Sequence, residues 1–370
     1  ESEPESELES EPVLYEGDNS DGRKINLRFR PDMIWFKARS TVVSHVLCDV
    51  NRGVKSHLNP DSNGAESGTT GTPYLRSFDD DGFTLSDGSV SGGNTANRHY
   101  VAYCFRAGGN SKDFNIDGVG YDSLEEMPIT LDYTSNGITV QKLSVNTKAG
   151  FSMIKYQGGP NGASDKIPHG LGKQCDFVMQ KRLQSGHWIC KHHWNDNNEG
   201  FLSDGDGAEF NFISATSQGG IANLTSSVHH IEPVAGTTNA NNVNPNNNDC
   251  VAYMWAEIEG YSKFGQFYGN GDADGTFVYT GFKPAFVMIK NINSGRSWRM
   301  YDTAREPQSE VSSILYMDTN AAETATSHPV KMFANGFKPH GTFQEINEAN
   351  ERMLYVAFAE SPYNYTNGAL

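Results

Sequence analysis

The phrase "FRPDMIWFKA" spans residues 29–38, "CDFVMQKR" spans 175–182 and "FKPAFVMIKN" spans 282–291. All three carry an apolar run into a lysine: Lys37, Lys181 or Lys290. Ile34, Val178 and Val287 stand in register three residues before these lysines, with apolar neighbours at consecutive positions. A strand through such a window is apolar on both faces, the pattern of a central strand in a packed sandwich. A phrase repeated at this spacing identifies an architecture before it identifies a chemistry.

Working outward, the phrase sits inside a longer repeat. Upstream lie "LYEGDNSDG" (14–22), "IKYQGGPNG" (154–162) and "QFYGNGDADG" (266–275). Tyr15, Tyr156 and Phe267 align, and Gly17, Gly158 and Gly269 follow two residues later, where a turn with positive φ is expected. Downstream comes a second strand: "HVLCD" (45–49), "WICKH" (188–192) and "WRMYD" (298–302). The first and third copies run on into the pairs Asp49 with Arg52 and Asp302 with Arg305, which read as salt bridges or turn braces. The second has His192 at the aspartate position. "DGFTL" (81–85) and "NGFKP" (335–339) are turn-plus-strand signals shared by copies one and three. The second copy is longer there and holds the asparagine-rich "GTTNANNVNPNNNDC" (236–250). Each copy closes on a β-branched and aromatic strand: "YVAYCFRA" (100–107), "CVAYMWAE" (250–257) or "MLYVAFAE" (353–360).

The fold expected is all-β, made of three tandem related β-sandwich units of the jelly-roll or lectin-like kind. An acidic low-complexity leader occupies 1–12, the units 13–108, 150–260 and 261–370, and a bridging segment with one or two strands of its own 109–149. The second and third units adjoin without a linker and are expected to pack rigidly. Repetition of one unit is expected to give an extended, rigid body with variable loops at its ends.

Composition agrees. Of 370 residues 36% are hydrophobic and 11% aromatic, with 38 glycines, which suits short strands and tight turns. The net charge of −16 repels phosphate backbones, so nucleic acid is excluded as a generic partner. No apolar run is long enough to span a bilayer, and no signal peptide is visible, so membrane insertion is not expected. Cys48, Cys104, Cys175, Cys190 and Cys250 align with other residue types in the other copies, and none recurs. They read as small core hydrophobes of a protein folded in a reducing cytoplasm.

Three stretches, "VNTKAGFSMIKYQGG…IPHGLGKQCDFVM" (145–179), "VAYMWAEIEGYSKFGQFYGNG…VYTGFKPAFVMIKN" (251–291) and "LYVAFAESPYNY" (354–365), resemble a family of bacteriophage structural proteins that carry a domain of unknown function. The resemblance covers nearly everything after residue 12. Such domains stand beside lectin-like β-sandwich modules in tail, fibre and other virion proteins. The resemblance therefore implies a virion component synthesised in the host cytoplasm, with other virion proteins as partners and homo-oligomerisation, a trimer being the family-style guess. This chain departs from the family in its His- and Asn-rich "CKHHWNDNNEG" and its acidic leader.

Chemistry is sparse. No G-x-S-x-G, H-E-x-x-H or P-loop occurs, and no carboxylate pair is singled out for glycoside hydrolysis. The chain reads as non-enzymatic. His187, His192, His193, His229 and His230 cluster in the second unit. Neighbours on a strand point to opposite faces, so only one of His192 and His193 can join a metal site with 229–230. The loops "NDNNEGFLSDGDG" (195–207) and "GNGDADG" (269–275) offer Asp204, Asp206, Asp272 and Asp274 as oxygen ligands for calcium without the EF-hand spacing; turn chemistry alone also explains them. Trp35, Trp188, Trp255 and Trp298 lie in core phrases. Trp194 stands outside the repeat beside a polar loop, and with His192, Asn195 and Asp196 it forms the expected ligand-binding patch. The contact surface is expected on the loops around 192–212 and 236–249. The function expected is a virion structural protein of a fibre, tail or capsid-surface appendage that presents loops for host attachment or assembly. The alternatives are a dedicated carbohydrate-binding module that takes a host surface glycan and, third, a polysaccharide depolymerase.

Overall fold

A computed structural model describes residues 10–68, 73–88, 93–131, 137–159, 165–194, 201–202, 220–232, 240–292 and 296–359. Strand follows strand through them, as the β-branched and aromatic phrases dictate. For description the strands fall into three lobes. Lobe 1 holds β1 (Ser10–Glu16), β2 (Arg23–Asn26), β3 (Met33–Ala38), β4 (Val46–Asp49), β5 (Leu75–Asp79), β6 (Gly82–Leu85) and β7 (His99–Phe105). Lobe 2 holds β8 (Phe114–Ile116), β9 (Val119–Tyr121), β10 (Thr139–Asn146), β11 (Phe151–Gln157), β12 (Asp165–Pro168), β13 (Phe177–Arg182), β14 (Trp188–His192), β15 (Phe201–Leu202), β16 (Gly220–Leu224), β17 (Val228–Glu232), the short helix α1 (Ala240–Val243) and β18 (Asp249–Trp255). Lobe 3 holds β19 (Ser262–Tyr268), β20 (Val278–Tyr279), β21 (Pro284–Asn291), β22 (Arg299–Asp302), β23 (Glu310–Tyr316), β24 (Thr324–Phe333), β25 (Gly336–Pro339), α2 (Gln344–Asn347) and β26 (Arg352–Ala359). The protein is all-β with several sheets, and no helix among the described residues is long and apolar enough to cross a membrane.

The hydrogen-bonded order β1-β7-β3-β4 in lobe 1 is matched by β11-β18-β13-β14 in lobe 2 and β19-β26-β21-β22 in lobe 3. A second ladder, β2-β6-β5, is matched by β12-β17-β16 and β20-β25-β24. Registers agree as well. Lys37 faces Val101, Lys181 faces Val251 and Lys290 faces Leu354. Tyr15 faces Tyr100, Tyr156 faces Cys250 and Phe267 faces Met353. In lobe 3 the two ladders are joined into one eight-stranded sheet, because β23 pairs with both β22 and β24.

Each lobe closes an apolar core between its two ladders, for example Tyr15, Ile34, Phe36, Phe83 and Tyr100 in lobe 1. Lobes 2 and 3 enclose the corresponding clusters. The other face of each main ladder is not turned to water. Met33, Trp35 and Tyr103 of lobe 1, Phe177, Met179 and Trp255 of lobe 2, and Phe264, Met288 and Phe358 of lobe 3 join one further cluster common to all three. This is why the lysine phrases are apolar on both faces: one face seals the lobe and the other seals the lobes to each other. The expected extended body is therefore corrected to three lobes gathered around a shared core. A small apolar cavity of about 60 Å³ lies in that core, lined by aromatic rings from all three lobes, including Trp35, Phe177 and Phe286.

The repeated lysines are buried on the shared-core side of their strands. Their ammonium groups donate to backbone carbonyls where the chain turns. Lys37 Nζ reaches Ala38 O at 2.9 Å, Val43 O at 3.0 Å and, across the lobe boundary, Asn320 O at 3.3 Å. Lys181 Nζ reaches Arg182 O and Gln184 O, each at 3.1 Å, and Lys290 Nζ donates to Arg296 O.

Two further expectations are corrected. Gly17, Gly158 and Gly269 do not have positive φ. A Cβ there would instead land on the carbonyl oxygens of Thr95, Pro245 and Glu348, so close approach of backbone excludes a side chain. The segment 109–149 contributes three strands rather than one or two. β10 pairs antiparallel with β11 and parallel with β8, which extends the lobe 2 sheet to eight strands. All five cysteines are buried and unpaired by disulfide.

Candidate functional site

The joints between lobes decide where a site can be. Lobe 2 meets lobe 1 through Tyr253, whose hydroxyl donates to Asp49 Oδ2 at 2.6 Å and accepts from Arg52 Nη2 at 3.2 Å. Arg52 Nε closes the pair on Asp49 Oδ2 at 2.6 Å, fully buried. Lobe 1 meets lobe 3 in the same way: Tyr103 donates to Asp302 Oδ2 at 2.7 Å, and Arg305 closes on that carboxylate. The aspartate–arginine pairs are thus turn braces that also receive the neighbouring lobe. At the third joint, lobe 2 to lobe 3, Val356 stands at the tyrosine position and His192 at the aspartate position. His192 Nε2 donates to the carbonyl of Tyr355 at 3.1 Å, while the Trp194 N–H donates to Nδ1 at 3.3 Å and so fixes the tautomer. Burial first, then the neighbouring His193, pushes the His192 pKa down to about 3, so the ring is neutral.

This third joint is also the open one. A groove of about 710 Å³, lined by charged and aromatic side chains, runs between Lys173, Asp176, His193 and Trp194 of lobe 2 and the β19 residues Lys263–Gln266 of lobe 3. Asp176 organises the lobe 2 wall. Its Oδ1 lies 3.0 Å from His193 Nδ1, its Oδ2 accepts the Glu257 N–H at 2.5 Å, and its carbonyl accepts the His193 N–H at 2.8 Å. His193 in turn packs on the Trp194 ring, with centroids 5.1 Å apart. On the opposite side Lys263 pairs with Glu257 at 2.6 Å. The Tyr355 phenol is pushed up by burial and by the charge of Glu257. The Gln266 Oε1 is shielded from solvent and has no hydrogen-bond partner among the described residues.

Trp194 is 43% exposed, whereas Trp35, Trp188, Trp255 and Trp298 are buried, so the one aromatic read as a surface residue is the one that lines the groove. His192 is corrected: it is fully buried and bonded to Tyr355, so it cannot contact a ligand, and its neighbour His193 takes that place. Nor do the two histidines point to opposite faces. β14 ends at His192, the chain turns, and the rings stack 5.3 Å apart. Asn195, Asp196, Asp204 and Asp206 lie outside the described residues, as does most of the loop span 195–219.

Asp272 and Asp274 are described and do not converge on a vacant cation position. Asp272 Oδ1 accepts the Asp274 N–H at 2.9 Å, and Asp274 is neutralised by Lys338 Nζ at 2.9 Å. Among the described residues no three His, Cys, Asp or Glu side chains are placed to hold a metal. Asp176, Glu257, Lys263 and Gln266 were not singled out by sequence reasoning. Asp176 is shared with lobe 1, where Asp32 accepts the equivalent Ala107 N–H, so by sequence it reads as part of the repeat; Gln266 departs from it, with Leu14 and Lys155 as counterparts.

Three lobes around a shared core, with a groove lined by charged and aromatic side chains at the joint that departs from the others, define a β-sheet scaffold with a recess between two of its lobes. The family described as a domain of unknown function (DUF7483) matches residues 9–121 and 130–362, and the chain belongs to that family. No curated protein matches it.

Proposed function

We propose that the chain is a non-enzymatic structural and adhesion protein built by tandem repetition of one jelly-roll-like sandwich unit, and that the groove between lobes 2 and 3 is its contact surface. The setting we propose is a bacteriophage virion, in a fibre, tail or capsid-surface appendage; the resemblance of residues 145–179, 251–291 and 354–365 to bacteriophage structural proteins supports it. The structural part rests on one observation, the apolar cluster common to all three lobes. Together with the buried tyrosine clasps, it supports a rigid body, and the groove between lobes 2 and 3 offers a recess for recognition.

A carbohydrate-binding role is the second reading, favoured by the exposed Trp194 ring beside hydrogen-bonding side chains, an arrangement that suits a sugar face. Assembly as a homotrimer, with other virion proteins as neighbours, belongs to the same proposal. The test is direct. Mass spectrometry of purified particles should find the chain, and Trp194→Ala should reduce host adsorption or glycan-array binding by tenfold or more without loss of stability. A chain absent from particles, with unaltered contacts in Trp194→Ala, refutes the reading. Release of sugar from host polysaccharide, lost in Asp176→Asn and Glu257→Gln, would replace it with the depolymerase.

A further inference from the structure

Each main ladder begins with a strand whose outer edge faces the next joint, and the three edges are managed differently. The parity of each ladder shows which backbone groups point outward. In lobe 3 the Gly269 N–H donates to Glu351 O and the Ala359 N–H to Tyr261 O, so odd-numbered residues of β19 bond to β26. Phe264 and Gln266 therefore direct their N–H and C=O groups to the other side, along the groove. The same parity in lobe 1, set by the Gly17 N–H on Arg98 O, turns Pro12 and Leu14 outward on β1. In lobe 2 it turns Met153 and Lys155 outward on β11.

By register Pro12, Met153 and Phe264 are equivalent. At β1 a proline occupies the outward position, where it has no N–H to offer, a common way of blunting a sheet edge. At β11 the edge is filled by β10: Ser144 lies opposite Met153 and Lys142 opposite Lys155. At β19 neither device is present, and among the described residues β19 has no second neighbour.

The joint between lobes 1 and 2 shows what fits. There β10 pairs along the β11 edge and Asn51 closes over both strands: its Oδ1 accepts the Ser144 hydroxyl at 3.3 Å and its Nδ2 donates to the Met153 carbonyl at 3.2 Å. The counterpart of Asn51 in lobe 2 is Trp194, on the groove wall facing β19. We propose that the groove takes an extended segment of a partner polypeptide, which adds antiparallel to β19 as β10 adds to β11 and lays a side chain on the Trp194 ring. The accessible donor and acceptor are the N–H and C=O groups of half-buried Gln266, whose unsatisfied Oε1 adds an acceptor; those of Phe264, 1% exposed, lie deeper along the same edge. This deepens the reading of the groove as the contact surface and rests on it.

The probe is a displayed library of random octapeptides, panned against the full chain. Hydrogen exchange is measured at the Gln266 amide, and the same chain is applied to a glycan array. Expected are fast exchange at the Gln266 amide in the free chain, protection when an enriched peptide is bound, and at least tenfold weaker binding to Gln266→Pro. That variant should fold, since the lost N–H faces away from β26; Trp194→Ala, at an exposed ring on the far wall, should weaken the same peptides. Three results would each overturn strand addition: no enriched peptide, enriched peptides that bind Gln266→Pro equally well, or a Gln266 amide already protected in the free chain. Glycan binding lost in Trp194→Ala but kept in Gln266→Pro would leave the groove as contact surface and reject the peptide. Indifference of every ligand to both variants would reject the groove itself.

Discussion

Removing one hydroxyl, by Tyr253→Phe, tests whether the lobes are held by their buried clasps. That hydroxyl donates to Asp49 at 2.6 Å and accepts from Arg52 at 3.2 Å, with all three groups buried. A hydrogen bond to a charged partner contributes about 1.5–3 kcal/mol, and the phenylalanine ring leaves the packing unchanged. Unfolding entropy of about 2.1 cal/mol/K per residue gives roughly 0.8 kcal/mol/K if the whole chain melts as one, so Tm should fall by about 2–4 °C. If lobes 1 and 2 melt apart from each other, the smaller unit has a smaller entropy and the fall is about three times larger. Equilibrium urea denaturation followed by tryptophan fluorescence, beside calorimetry, measures both the cost and the size of the cooperative unit. Tyr103→Phe, the counterpart at the joint of lobes 1 and 3, should cost the same within a factor of two. A cost under about 0.5 kcal/mol in both variants would refute the clasps as a source of stability, because that is the range of an ordinary surface change.

His192→Asp places an unpaired carboxylate in a buried joint and should cost about 3–5 kcal/mol in urea titrations; adding Val356→Tyr, which supplies the donor found at the other two joints, should recover part of it. Burial first, then Arg182, depresses the Lys181 pKa to about 7, while an unfolded lysine titrates near 10.4. Between those values the unfolded chain binds the extra proton, so this lysine makes stability rise with pH from about 7 toward 10, and Lys181→Met should flatten the rise measured between pH 7 and 9. Gly269→Ala forces a methyl against the Glu348 carbonyl and should cost about 1–3 kcal/mol, whereas Gly53→Ala, with open space but φ of +84°, should cost only about 1 kcal/mol in the same assay. Burial pushes the Cys48 and Cys250 thiols up to about 12, so a thiol reagent should react with the native chain only at the rate of unfolding.

Local residue patterns made much of the fold legible. The phrases ending at Lys37, Lys181 and Lys290 mark strands by β-branched and aromatic content, and their shared order of motifs gives the same strand pairings that the ladders display. The burial of Trp188 and Trp298 and the exposure of Trp194 also follow from position in or out of the repeat. Other features were not legible, for reasons that are physical. Gly17 looked like a positive-φ turn because a sequence does not show the Thr95 carbonyl that crosses it. His192 looked like a ligand because its polarity is visible and its carbonyl partner, 163 residues away, is not.

What the amino-acid sequence determined by itself is that certain strands must be covered on both faces, since alternation and apolar content are properties of a few adjacent residues. What only the tertiary structure decided is what covers the second face. The covering is the other lobes, joined by contacts such as Tyr253 to Asp49 whose partners lie far apart in the chain. The groove is decided at the same level. It exists where Val356 and His192 replace a clasp and, among the described residues, no strand fills the β19 edge, a coincidence of distant residues that only packing brings together.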